Sequence, residues 1–169
     1  MADGTLSYGS NETLRGNAGI NGKNGFFDYN ASFSYHNTKG INETENKNNA
    51  PVTDKDSYKQ SSFQLNLGIR PSDKLTILPF FRYGKLSGDI DQGAFTDELD
   101  YTYTQKSWQT GVKNEYSLGK TKLNLLYNYN NISRLYIDDS VKAGMAMTLI
   151  QREIIPATNI SLMHTFILR

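Results

Sequence analysis

The side chains best able to do chemistry in this sequence are carboxylates, and they gather in two long polar stretches. Asp54 and Asp56 lie in the first, and Asp89, Asp91, Asp97, Glu98 and Asp100 in the second. Hard oxygen donors on adaptable loops suit Ca2+, which takes about six to eight oxygen ligands. Neither stretch has the ligand spacing of an EF-hand. A solvated acidic loop is the alternative reading for each. Phe95, Tyr101 and Tyr103 sit in or beside the second stretch. There they would either contact a flat ligand or belong to an interfacial aromatic belt.

Other chemistries find no residues to carry them. His36 and His164 are the only histidines and lie far apart in sequence, so they suggest neither a metal pair nor a triad. Gly119-Lys120-Thr121 resembles the end of a phosphate-binding loop, but Asn114 stands where its first glycine is needed. With no cysteine, there is no disulfide framework. The paired carboxylates lie in loops, with no apolar pocket to separate their pKa values. Five Asn-x-Ser/Thr sequons, at Asn11, Asn30, Asn42, Asn131 and Asn159, follow from a composition of 17 asparagines. The expectation is a protein that is not an enzyme. A net charge of +1 argues against a nucleic-acid partner, which needs a basic face.

The elements that must position the carboxylates read as strands. The 169 residues are 37% hydrophobic, 12% aromatic and only 21% charged, yet mean hydropathy is -0.57. The polarity therefore comes from Asn, Ser, Thr and Gly. Phe27 to His36 alternates, with Phe, Tyr, Ala, Phe, Tyr at odd positions and Asp, Asn, Ser, Ser, His at even ones. In a strand these sets point to opposite faces. Ser62–Ile69 and Lys122–Tyr129 repeat the pattern, the latter with a break at Leu126. Trp108–Leu118 is looser, Thr5–Gly9 and Thr13–Asn21 are weaker, and Leu75–Tyr83 carries Pro79, where a break or bulge is expected. Tight turns are expected at 21–25, 71–73 and 119–120, and long polar connections at 40–57 and 87–100. Short and long connections alternate, so one end of an antiparallel meander carries turns and the other carries loops.

That asymmetry, with alternating runs of about 9–11 residues or more, is expected of an outer-membrane barrel. Its apolar face would meet lipid, and its Asn- and Ser-rich face would line a wet or plugged lumen. The fold expected is all-β: an antiparallel up-and-down meander of seven or eight strands, part of a transmembrane β-barrel. A soluble barrel with the apolar face inward shows the same alternation. The polar faces carry few Lys and Glu for a solvated surface, which favours the membrane.

Several segments resemble the early barrel strands of TonB-dependent outer-membrane receptors, most of all the vitamin B12 and siderophore type. They are Gly4-Thr-Leu-Ser-Tyr-Gly-Ser-Asn, Leu14-Arg-Gly-Asn-Ala-Gly-Ile and Phe27-Asp-Tyr-Asn-Ala-Ser-Phe-Ser-Tyr-His-Asn-Thr-Lys-Gly. Thr53-Asp-Lys-Asp-Ser-Tyr ahead of a strand, and Ser107-Trp108 opening another, add to the likeness. It runs over residues 4–141. The resemblance implies import of a scarce small-molecule nutrient, such as cobalamin or a siderophore–iron complex, with energy relayed by TonB. It also implies a plug domain inside a barrel of about 22 strands in the bacterial outer membrane, in contact with its lipid. No other cofactor is required, but receptors of the B12 type use aspartates of these two hairpins to bind Ca2+. Asp54 and Asp56 match that position best, while Asp89, Asp91, Asp97 and Asp100 match by loop only.

The sequence also departs from the family. No plug, TonB box or signal peptide precedes residue 4, and the last residues, Leu168-Arg169, are not aromatic. The expectation is a fragment or truncated reading frame covering the first third of a barrel. Residues 142–169 hold Met145, Met147 and Met163 and match no family pattern. They are read as one irregular hairpin or as non-native sequence. The rival readings are a complete eight-stranded outer-membrane barrel with a structural or adhesive role, and a soluble lipocalin-like binder.

Overall fold

A computed structural model describes residues 1–42, 44, 54–91, 93, 97–139 and 148–166. Among them the chain is all-β, with eight strands and no helix. The strands are β1 (Ala2–Gly9), β2 (Thr13–Asn24), β3 (Phe27–Thr38), β4 (Tyr58–Ser72), β5 (Leu75–Asp89), β6 (Tyr101–Leu118), β7 (Thr121–Asp139) and β8 (Thr148–Phe166). They form one sheet in sequence order, each antiparallel to the next. The sheet is an open meander: β1 pairs only with β2, and β8 only with β7, among the described residues.

The two ends differ as the alternation of connections requires. At one end the turns are Gly25–Phe26, Asp73–Lys74 and Gly119–Lys120. At the other lie the Ser10–Glu12 turn and the long connections from Thr38 to Tyr58 and from Asp89 to Tyr101. The strands run further than their clearest alternation. β2 continues through Asn24, so the turn expected over 21–25 contracts to its last glycine and Phe26. Pro71 and Ser72 are still strand, and the turn follows them. The break expected at Pro79 falls on the β4 side. There the pairs jump from Asn66–Phe80 to Ile69–Ile77, and the register shifts between Ile69 and Ser72. On the β6 side Pro79 keeps register with Val112. A proline has no N–H to give to one of its two neighbours, so only one ladder suffers.

Register sorts every strand into two faces. One carries Leu6, Ile20, Phe33, Phe63, Phe81, Trp108, Tyr127 and Ile160, linked through cross-strand pairs such as Phe33–Phe63 and Tyr127–Ile160. The other carries Asn17, Ser34, Ser62, Gln64, Arg82, Gln109, Asn128 and Arg134. The polar face is tied across strands by its own side chains. Ser34 Oγ lies 2.7 Å from Ser62 Oγ, and Gln109 Nε2 donates to Asn128 Oδ1 at 2.9 Å. Arg134 Nε donates to Gln105 Oε1 at 2.9 Å, and its Nη1 to Glu153 Oε2 at 3.3 Å.

No large hydrophobic side chain is buried among the described residues. On the apolar face Phe33, Phe63, Phe81, Trp108 and Tyr127 are between 36% and 47% exposed, and Leu6 and Ile160 near the sheet edges are 78% and 72% exposed. Hollows described on the sheet lie along the polar row, including one of about 330 Å3 lined by Leu78, Phe80 and Leu126 beside Asn66 and Lys113. Another of about 360 Å3 is lined by Asn17, Ser32, Ser34, Ser62 and Gln64, and a further one of about 320 Å3 by Arg82, Ser107, Gln109 and Asn130. A sheet that hydrogen-bonds across its hollow polar side and bares its aromatic side is inverted relative to a soluble barrel. The tail segment 142–169 supplies β8, which pairs with β7 from Asp139–Thr148 to Thr121–Phe166 and puts Ile154 and Ile160 in the apolar row.

Candidate functional site

The loop end of the polar face gathers the carboxylates. Two backbone features close the first stretch on itself. Gly40 has φ +64°, and a Cβ there would run into the Asp56 carbonyl. A side chain is excluded on both counts. Asp56 N–H then donates to Ile41 O at 3.1 Å, which closes the connection just ahead of β4. On the second stretch, Ile90 N–H donates to Tyr101 O at 2.9 Å and Glu98 N–H to Asp91 Oδ1 at 2.9 Å. Asn42 reaches across and donates from Nδ2 to Asp97 Oδ2 at 2.8 Å.

The result is two adjoining acidic groups. In the first, Asp54 is pushed up from 3.8 to about 6, by burial first, then by its hydrogen bond with Asp97 and the charges of Asp97, Asp56 and Asp91. In the second, carboxylate oxygens of Glu98, Asp100 and Asp138 all lie within 4.8 Å of one another. Glu98 is also raised, by burial and then by Asp138, Asp100 and Asp91. The charge of Asp91 acts on both groups. Asp100 is 7% exposed, the one buried charged residue among those described, and its Oδ2 has no hydrogen-bond partner there. Asp54 Oδ1 is likewise buried without a hydrogen-bond partner.

At Asp54 and Glu98 this arrangement disfavours the ionised state unless a cation joins it. Oxygens bound to a single Ca2+ at about 2.4 Å can stand no more than about 4.8 Å apart, twice the bond length. The Glu98–Asp100–Asp138 triad meets that limit as it stands. The donor set is all carboxylate, the kind a hard cation takes. Neither a protein-family model nor a curated protein matches the chain.

Of the residues singled out from sequence, Asp54, Asp56, Asp91, Asp97 and Asp100 converge. Asp89 does not. It pairs with Thr102 in the row of the apolar face, and its Oδ2 accepts the Ser57 N–H at 3.1 Å. Its role is to fix the entry of β4. Tyr101 and Tyr103 stand in the polar row of β6, beside the triad. Phe95 lies outside the described residues. Asp138 was not legible as a site residue: the β7 alternation fades after Tyr129, where Ile132 enters the polar row. Only the pairing of Asp138 with Tyr101 reveals that the strand runs on to the rim.

Proposed function

We propose that this chain forms part of the wall of a bacterial outer-membrane β-barrel of the TonB-dependent receptor type and serves the import of a scarce small molecule. The observation that carries this reading is the inverted sheet. Aromatic and aliphatic side chains stand exposed along one face, no hydrophobic core lies among the described residues, and the described hollows lie along the polar row. In lipid that face is the favourable one, and the hydrogen-bonded polar face lines a lumen. A lipocalin-like binder needs the opposite curvature. A complete eight-stranded barrel needs β1 paired with β8, and the described pairs do not include it. The free edges of β1 and β8 call for further strands, since an unpaired edge is costly in a bilayer. In the full receptor, a plug in the lumen would couple to TonB.

The acidic rim then sits where long external loops belong, and Ca2+ is the cation it fits. Glu98, Asp100 and Asp138 would hold one ion, with Asp54, Asp56, Asp91 and Asp97 beside it. The ion supplies positive charge that lets these carboxylates stay ionised together and ties the two loops to the ends of β6 and β7. Tyr101 and Tyr103 flank the rim on the side a ligand would approach.

Trp108 is the only tryptophan and stands on the apolar face, 38% exposed. With the chain in vesicles, its fluorescence should be quenched by brominated acyl chains and shielded from iodide. Quenching by iodide with no response to brominated lipid would overturn the membrane reading. For calcium, Asp54→Asn combined with Asp56→Asn should weaken the Ca2+ binding measured by calorimetry and remove Ca2+-dependent ordering of the first loop. Unchanged ordering would reject the rim as a calcium site.

A further inference from the structure

One rung inward from the carboxylates, a row of aromatic rings crosses the polar face. Tyr58 pairs with Gly88, Gly88 with Tyr103 and Tyr103 with Tyr136, so four adjacent strands contribute at one level. His36 extends the row onto β3, its ring 5.3 Å from that of Tyr58 at 62°. Tyr103 and Tyr136 are stacked, with centroids 6.3 Å apart and planes 24° from parallel. Gly88 is the gap that makes the row continuous. A Cβ there would lie 2.7 Å from Ser57 O and 3.4 Å from Tyr103 Cε1, so glycine leaves the space over β5 that the Tyr103 ring leans into.

The next rung outward is the Tyr101–Asp138 pair. Residues two apart on a strand share a face at about 7 Å separation. Asp138, grouped with Glu98 and Asp100, therefore stands one same-face rung outward from the Tyr103–Tyr136 pair. Aromatic faces attract a cation within roughly 6 Å of the ring centre, and a quaternary ammonium is the organic group best held this way. Carboxylates at the rim supply the matching charge, and Asp100, a member of the triad, holds a buried Oδ2 without a hydrogen-bond partner among the described residues.

We propose that this shelf is a binding site for a quaternary ammonium group. The methylated nitrogen would rest over Tyr103 and Tyr136, with its charge toward Glu98, Asp100 and Asp138. The proposal goes beyond nutrient uptake and does not depend on it. It requires that an organic cation and Ca2+ compete for the same carboxylates.

The test uses the full chain in maltoside micelles without Ca2+, with choline as the probe and NMR of 13C-labelled tyrosine as the readout. Choline should saturate, and its uncharged isostere 3,3-dimethyl-1-butanol should bind at least about tenfold more weakly. Tyr103→Leu or Tyr136→Leu should weaken choline about tenfold, while Tyr136→Phe, which keeps the ring, should not. Asp138→Asn should weaken choline and leave the isostere unchanged, and added Ca2+ should displace choline. Tighter binding of choline than of glycerophosphocholine marks a free cation, and the reverse a lipid headgroup. Absence of saturation, equal binding of the isostere, or unchanged affinity in both leucine variants would overturn the proposal. Trp108 quenching by lipid is independent of every one of these outcomes, so failure here is distinct from failure of the membrane reading.

Discussion

The two ends of the polar face treat charge in opposite ways. At the tight-turn end, charges meet their opposites: Arg70 Nη1 binds Asp28 Oδ2, and Lys113 Nζ lies 2.6 Å from Glu115 Oε1. The connections there are as short as a hairpin allows. At the loop end, apart from the exposed Lys39–Glu12 pair beside the Ser10–Glu12 turn, like charges are brought together: Glu98, Asp100 and Asp138 face one another, and Asp54 meets Asp97. Opposite charges satisfy themselves, along β6 for Lys113 and Glu115 and across neighbouring strands for Arg70 and Asp28, where the pair also helps fix register. Like charges held together by long loops do neither. They raise the energy of the sheet by themselves, and a cation bound among them would lower it.

The largest expected effect separates the two faces rather than the two ends, because the ends keep their meaning only if the polar face is the lumen. Phe81→Arg, near the middle of β5 on the apolar face, should cost about 2–4 kcal/mol of stability in lipid vesicles, read by urea unfolding. Gln64→Arg, on the polar face of the neighbouring strand, should cost far less. Equal costs at the two positions would remove the distinction between faces and, with it, the assignment of the rim to a lumen mouth.

Next in size is the rim itself. Asp100→Asn removes one of three crowded charges. It should stabilise the calcium-free chain by on the order of 1 kcal/mol, the scale of two unit charges about 4 Å apart in a watery surrounding. At a Ca2+ concentration of about 100 times Kd, the parent chain should gain about 2.7 kcal/mol and the variant much less. Paired melts with and without Ca2+ give both numbers. If Asp100→Asn destabilises the calcium-free chain, the triad is a structural network and the contrast between the ends fails.

A third measurement sharpens the contrast through protons. Asp54 is raised from 3.8 to about 6, so between those values the folded chain binds more protons than the unfolded one. Stability must then fall as pH rises through this window and recover as pH drops toward 4. An NMR titration of the Asp54 carboxyl should show a midpoint near 6 that moves down when Ca2+ is added. Asp54→Asn should flatten the pH dependence. A midpoint near 4 with Ca2+ absent would mean that the carboxylates do not meet as described.

Much of this contrast was legible in the sequence, for reasons that differ by region. The strands from Phe27 to Ile69 alternate cleanly because both faces there have uniform neighbours, and their pairs Phe33–Phe63 and Ser34–Ser62 follow. The division into a turn end and a loop end was readable from Gly, Asn and Pro placement. Which aspartates join was only partly readable. Asp89 and Asp91 differ by two positions, yet one still belongs to β5 and takes the apolar row while the other lies past its end. Strand ends decide that, and sequence periodicity defines them poorly where polar rows run into polar loops. β8 was unreadable for another reason: Arg152 and Pro156 sit in its apolar row and Ile155 in its polar row, so pairing with β7 reveals a period that composition hides. The tyrosine row escaped because it runs across strands, a direction that sequence alternation does not report.

The smallest expected effect lies at the tight-turn end and completes the comparison. Asp28 and Arg70 are about a third and two-fifths exposed. Ion pairs this open contribute about 0.2–1 kcal/mol, because water screens them and two side chains lose freedom to form them. A double-mutant cycle with Asp28→Asn and Arg70→Gln, followed by urea unfolding, should return a coupling in that range, weakened by salt and indifferent to Ca2+. The tie also has a backbone counterpart, since Arg70 N–H donates to Phe26 O at 2.7 Å, and that bond survives both substitutions. The two ends would thus respond to the same chemical change with opposite signs: neutralising Asp28 loosens the sheet slightly, and neutralising Asp100 tightens it until Ca2+ is present. A Ca2+-dependent coupling at Asp28 would show that the two ends are not separate, and that charge introduced at the rim is felt along the whole length of the polar face.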